Sequence, residues 1–216
     1  MKRLIFLVLL VTSVSCAQTS SDKNKKVSAD AEPVQVEDED GMKKAYFASG
    51  CFWCSESIYN SVIGVKKVIA GYSGGTGENP NYQNYVQKGH AESIEVTYDP
   101  RVIEYRSLLT VYFGSQDVTQ QNGQGPDQGS GYRSVIFYQN ENEKELIEKT
   151  IEEVQKDYNK PIAAEIIPFQ KFWEAEEYHQ NYEVKNPTHP YIQNVSLPRL
   201  NRFQNKHPEL LKKSQK

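Results

Sequence analysis

Two cysteines three positions apart, Cys51 and Cys54, bracket a Phe-Trp pair in the stretch SGCFWCSES, residues 49–57. That spacing serves three chemistries: a metal clip, a structural staple or a redox pair. A structural zinc site needs four ligands, usually a second Cys-x-x-Cys or a closely spaced pair of histidines. The chain has one such cysteine pair and four histidines, none at that spacing, so no metal is expected. A disulfide across a two-residue gap removes little loop entropy and stabilises weakly. Redox chemistry fits best. The pair follows a strand-like run, at the point where a helix can begin. Helix N-termini carry roughly half a positive charge and unpaired N–H groups, both of which favour thiolate over thiol. Cys51, nearest that end, is expected as the nucleophile, with Cys54 one turn on and placed to attack it.

A second candidate lies in GHAESIEVTYDP, residues 89–100. Alternate residues of a strand share a face. Glu92 is in register with Ile94, Val96 and Tyr98, whereas Glu95 goes with Ser93 and Thr97. A carboxyl on the apolar face loses hydration, holds its proton near neutrality and can act as a general acid. The competing reading puts Glu92 at a frayed, solvated strand start. Three loops, GYSGG (71–75), NPNYQNY (79–85) and GQGPDQGSGYRS (123–134), are Gly-rich and aromatic, and loops of this length in a compact domain are usually functional. Tyr82 and Tyr132 can donate phenolic hydrogen bonds and Asp127 can orient a neighbour. Taken singly, each is more often a surface or core residue than a functional one.

The elements that must position these groups follow from periodicity. Strands are predicted at 44–49, 65–75, 91–100, 132–139 and 163–169, each a β-branched or aromatic run ended by turn residues. Helices are predicted from Cys54 to Val62, over 104–113 with Tyr105, Leu108, Leu109 and Tyr112 on one face, over 141–158, and briefly over 174–182. The order β-α-β-β-α-β, with a further helix and strand, matches the ferredoxin-like split βαβ arrangement, an α+β two-layer sandwich.

Around this domain, expected over residues 42–186, lie three appendages. Residues 1–16 carry two basic residues and then an apolar run shorter than the ~20 residues that span a bilayer, which reads as a signal peptide. It ends in small residues before Cys16 and resembles a bacterial lipoprotein signal, with Cys16 lipidated; an ordinary cleaved signal is the other reading. Both place the domain outside the cytoplasm, in an oxidising compartment such as the periplasm; the lipidated reading makes it a membrane-anchored bacterial lipoprotein. Residues 17–41 contain no Phe, Trp or Tyr and read as a polar tether of roughly 30 Å r.m.s. span. Residues 187–216, with four prolines, are expected to wrap the surface or fray. The formal net charge of −3 points to no nucleic-acid partner.

Five segments in order, GCFWCSES, GVKKVIAGYSGG, NPNYQNYVQKGHAESIEVTYDP, QGPDQGSGYRS and AEEYHQNYEVKN, spread over residues 44–186, resemble the peptide methionine sulfoxide reductase A family. The resemblance implies a peptide-methionine (S)-S-oxide reductase, monomeric and without bound cofactor. By the match, Cys51 attacks the sulfoxide sulfur and Glu92 protonates the oxygen, which Tyr82 and Tyr132 polarise. Asp127 would hold the hydrogen-bond network, and Phe52 and Trp53 would grip the methyl group. The chain departs from the family in three places. Cys54 stands where a small residue is commoner, PYIQNVSLPRL replaces the tail with recycling cysteines, and Gln116 replaces a common His. Attack leaves a sulfenic acid on Cys51. With Cys16 lipidated, only Cys54 remains to condense with it, giving a Cys51–Cys54 disulfide reopened by an external dithiol of thioredoxin type. Recycling by an outside thiol, with Cys54 a bystander, is the alternative. The competing functions are a thioredoxin-like thiol–disulfide oxidoreductase and a non-catalytic lipoprotein that binds methionine-bearing segments.

Overall fold

The structure, a computed structural model, describes residues 25–213. The expected signal segment and Cys16 lie outside these residues. Among the described residues no helix is long and apolar enough to cross a membrane.

The predicted order is realised. Strand β1 (Lys43–Ser49) leads into helix α1 (Phe52–Asn60), followed by β2 (Val65–Ser73), β3 (Ala91–Tyr98) and α2 (Tyr105–Gly114). A two-residue ladder of β4 (Gly123–Gln124) and β5 (Asp127–Gln128) precedes β6 (Ser134–Tyr138), α3 (Glu141–Gln155), β7 (Glu165–Pro168) and β8 (Trp173–Glu174). The main sheet runs β7-β6-β1-β3-β2-β8, all neighbours antiparallel except β6 and β7. Its four central strands have the ferredoxin-like order, with β3 inserted between β1 and β2.

Period-two alternation divides β1 between two cores. Ala45 and Phe47 join the helix-side core with Ile58, Tyr59, Leu108 and Tyr112. Tyr46 and Ala48 face the other side, against Val135, Phe137, Ile167 and Phe169. That second face is not left to solvent. Residues 25–41, expected as a free tether, lie along it instead. Val27 N–H donates to Gly74 O at 3.0 Å and Val34 N–H to Phe169 O at 2.8 Å. Val36 N–H reaches the Gln139 side chain at 3.1 Å, and Val27 and Val36 pack on the second core. Three valines were too weak a signal in a polar stretch, yet their backbone bonds and contacts offset the ordering entropy. Glu95, on the polar set of β3, is therefore buried as well, with Tyr46 Oη donating to it at 2.9 Å and Lys44 at 3.3 Å.

Two further expectations change. The short helix over 174–182 is replaced by β8, a 3-10 turn at Glu177–His179 and α4 (Tyr182–Lys185). The Gln180 amide takes over the backbone of β2, accepting from Ala70 N–H and donating to Ala70 O, both at 2.9 Å. Asn181 then turns the chain with a left-handed φ of 53°. The C-terminal extension does not fray. A π-helical turn, Ile192–Ser196, runs into α5 (Leu197–Lys206), where Pro198 occupies the first turn, which needs no N–H from it. Ile192, Arg199 and Phe203 are buried against α1 and α2. This segment completes the helix layer, so the catalytic unit continues well past residue 186.

Candidate active site

The turn from β1 into α1 sets the nucleophile. Gly50 has φ +77°, and a Cβ there would lie 2.4 Å from Gln124 Cβ, so only glycine fits. Cys51 follows as the N-cap of α1, its carbonyl accepting from Ser55 N–H at 3.3 Å. Cys51 is 6 % exposed and Cys54 1 %, and both thiols are free.

Glu92 reaches this turn from β3. Phe52 N–H donates to its Oε2 at 3.0 Å and the Tyr85 hydroxyl to its Oε1 at 3.3 Å. The carboxyl is 2 % exposed, which rules out the solvated-end reading. Burial pushes its pKa up to about 8, against the two hydrogen bonds that favour the charged form. At neutral pH it holds a proton, as a general acid must.

The two sulfurs are coupled, and their order is not the one expected from the helix terminus. Burial pushes the Cys51 thiol well up, helped by its contact with Cys54 and the nearby Glu92 carboxyl. The contact with Cys51 brings Cys54 down to about 6 against its own burial, with the Arg199 guanidinium adding to the effect. Their contact favours a single negative charge on the pair, and burial opposes placing it on Cys51. The helix terminus favours charge at both sulfurs, but it does not outweigh desolvation at Cys51.

Tyrosines surround the acid. The hydroxyls of Tyr82, Tyr132 and Tyr85 couple in sequence, and Tyr85 ends on Glu92. The loop carrying Tyr82 is pinned by Glu176, which accepts from Tyr82 N–H at 3.0 Å and from the Tyr72 hydroxyl at 2.9 Å. Asp127 meets the cysteines through Tyr191, whose hydroxyl lies 2.5 Å from Asp127 Oδ2 and 3.7 Å from Cys54 Sγ.

The aromatic wall is divided. Phe52 is 1 % exposed and packs on His179 (ring centroids 4.9 Å) and Tyr72 (5.9 Å), so it backs the site. Trp53 is half-buried, stacked on Tyr182 at 3.7 Å and edge-on to Tyr191. Its indole N–H donates to His179 Nδ1 at 3.2 Å. An indole can only donate, so Nδ1 of His179 is bare and its proton sits on Nε2. Burial lowers the His179 pKa and keeps the ring neutral.

All eight residues named from the domain sequence thus converge: Cys51, Phe52, Trp53, Cys54, Tyr82, Glu92, Asp127 and Tyr132. Sequence reasoning missed Tyr85, Tyr191, His179 and Glu176. Tyr85 shares the NPNYQNY loop with Tyr82, and three of the four lie within ten residues of a bulky aromatic cluster at 172–182. Nothing in a lone tyrosine marks which hydroxyl will face a buried acid. Among the described residues no group of His, Cys, Asp and Glu is arranged to hold a metal.

Comparison with known proteins agrees with this geometry. The family model described as peptide methionine sulfoxide reductase matches residues 43–211. Peptide methionine sulfoxide reductase MsrA 1 of Rhodopirellula baltica is 40 % identical over 189 residues, covering 87 % of this chain and 98 % of that protein. The MsrA of Pasteurella multocida is 40 % identical over 172 residues, covering 79 % and 99 %. Among solved structures, methionine sulfoxide reductase A of Corynebacterium diphtheriae superposes with a TM-score of 0.64 at 26 % identity, covering 78 % and 90 %. Reduced Mxr1 from Saccharomyces cerevisiae gives 0.62 at 33 %, covering 71 % and 90 %.

Proposed function

The chain belongs to the peptide methionine sulfoxide reductase family, and from that premise we propose the residue roles by which it reduces methionine sulfoxide to methionine. The observation that carries the reading is the buried, protonated Glu92 held by Phe52 N–H, one residue from the Cys51 sulfur. Sulfoxide oxygen leaves only once protonated, so an acid and a sulfur nucleophile must act on one S=O group.

When substrate seats beside Trp53, Cys51 passes its proton to the Cys54 thiolate and attacks the sulfoxide sulfur. Glu92 protonates the oxygen, which Tyr82 and Tyr132 polarise. The oxygen passes to Cys51, so methionine leaves and Cys51 becomes a sulfenic acid. Cys54 then condenses with it, forming an S–S bond and releasing water. An external dithiol of thioredoxin type reduces the disulfide and restores both thiols. The methyl group packs on Trp53, which Phe52 and Tyr182 brace. Burying one methyl is worth only about 0.8 kcal/mol, so the wall orients more than it binds. One wall and one acid admit one sulfoxide hand, which membership of the family makes the S epimer.

Family membership and the acid beside the nucleophile disfavour a thiol–disulfide oxidoreductase, for which Glu92 would have no use. We place the domain outside the cytoplasm, anchored through a lipid on Cys16; metabolic labelling with palmitate, lost in Cys16→Ser, tests this. The reaction itself is tested with peptides carrying each sulfoxide epimer and dithiothreitol. Methionine formed from the S epimer alone, and no activity in Cys51→Ser, is the expected result. Turnover of the R epimer, or insulin disulfide reduction without sulfoxide reduction, would overturn it.

A further inference from the structure

We propose that Arg199, from the C-terminal segment, is the countercharge that keeps Cys54 available as a thiolate for closing the Cys51–Cys54 disulfide. The proposal rests on the reading of Cys54 as the resolving sulfur.

A buried guanidinium is costly unless something opposite in charge faces it. Arg199 is 6 % exposed. Its Nε donates to Ser115 O at 2.8 Å, Nη1 to Ser49 O at 2.9 Å and Nη2 to Ser49 Oγ at 3.2 Å. All three acceptors are neutral. They fix the plane of the group beneath the β1–α1 turn and leave its charge unmatched. Among the described residues no carboxylate lies within ion-pair distance of it. It lines a cavity of about 170 Å³ together with Cys54, Asp127 and Tyr191.

The titratable and charged groups that face Cys54 are few. Cys51 comes from its own turn, Glu92 from β3, Asp127 from β5, and Tyr191 and Arg199 from the C-terminal segment, with Arg202 at the same cavity. Glu92 keeps its proton, and Asp127, which accepts from Tyr191, also lies in the field of Arg199, so the guanidinium faces two anionic groups across this cavity, the Asp127 carboxylate and the Cys54 sulfur. The closing step needs that charge. A thiolate, not a thiol, attacks the Cys51 sulfenic sulfur, so the proton that Cys54 took from Cys51 must first leave it; the S–S bond forms, the S–O bond breaks, and the oxygen takes up that proton and leaves as water. The hydrogen bonds of Arg199 go to Ser115 and Ser49 and to neither sulfur, so it acts through the field, as a positioning residue.

The test is a single turnover with a peptide methionine S-sulfoxide and no reductant, quenched in acid from pH 5 to 9. Mass spectrometry reads the Cys51–Cys54 disulfide. If the unsubstituted chain forms none, the reading of Cys54 fails whatever Arg199 does. Given closure, Arg199→Met is expected to raise the pH midpoint of closing by at least about one unit and slow it roughly three- to tenfold at pH 5.5. The slowing is smaller than the lost thiolate fraction because a more basic sulfur is a better nucleophile. Near pH 9 the variant should be no slower, and Arg199→Lys should restore the midpoint. An unchanged midpoint, equal slowing at every pH, or no restoration by Lys would overturn the proposal. Should the Met variant not fold, alkylation of Cys54 in Cys51→Ser, compared between Arg199 intact and Arg199→Gln, gives an independent reading. A lower midpoint with Arg199 intact is expected, and equal midpoints overturn the proposal.

Discussion

The backbone N–H of Phe52 donates to Glu92 Oε2 at 3.0 Å, so the first turn of α1 fixes the acid and, one residue earlier, the nucleophile. Acid and sulfur are placed by a single strand-to-helix junction meeting the start of β3. Rigid elements hold both, which suits a reaction that needs two groups at one S=O bond.

Glu92→Gln should slow sulfoxide reduction by roughly 10²–10⁴-fold, the usual worth of a general acid, with the fold intact. In the unsubstituted enzyme the acid is lost as pH rises through about 8, so turnover should fall on that limb. The sign for stability is the same. A carboxyl raised from 4.5 to about 8 contributes fully below 4.5, and that contribution is lost as pH climbs through 8. Melting temperatures from pH 4.5 to 9 should therefore drop further in the natural chain than in the Gln variant. Near-normal turnover of Glu92→Gln would remove the residue from its role.

Tyr85→Phe removes a donor to the charged form of Glu92. The alkaline limb of the rate profile should move up by as much as about one unit, since a hydrogen bond to a charged group is worth ~1.5–3 kcal/mol and one unit is ~1.4. A limb that stays put would show that the 3.3 Å contact does not act on the acid.

Cys54→Ser should still release about one methionine per enzyme in a single turnover and then stall when a thioredoxin-type protein is the only reductant. Dimedone should label Cys51 in the stalled form. Full multi-turnover activity in this variant would make Cys54 a bystander.

Chain ending at residue 186 should lose its fold as well as its activity. Ile192 and Phe203 are fully buried, each worth about 1.5–3 kcal/mol by area, and Tyr191 and Arg199 leave with them. Circular dichroism melts of the truncated chain, compared with the full one, decide it. A cooperative melt within a few degrees would show the extension to be dispensable.

Much of this was legible in the residues themselves. Alternation in GHAESIEVTYDP put Glu92 on the face of Ile94 and Val96, where the structure has it. The Gly-Cys step before a helical run put Cys51 at the start of a helix, where the structure has it. What could not be read were partnerships across the fold. Tyr191 lies 64 residues from Asp127 in a proline-spaced tail with no period to show that it folds back. Arg199 looks like any basic residue on an amphipathic helix until Ser49 and Ser115 are seen to take its N–H groups. The docking of residues 25–41 rests on a few valines and backbone bonds, which composition averages away. The charge order of the cysteines followed from burial at Cys51 and from the contact between the two sulfurs, neither of which spacing reveals.

The placement of charge within the cysteine pair has a protective side. Peroxides react with thiolates, and over-oxidation to sulfinic acid is irreversible in most proteins. Here burial favours the protonated form of Cys51, and with Cys51 6 % and Cys54 1 % exposed little of either sulfur lies open to a peroxide arriving from solvent.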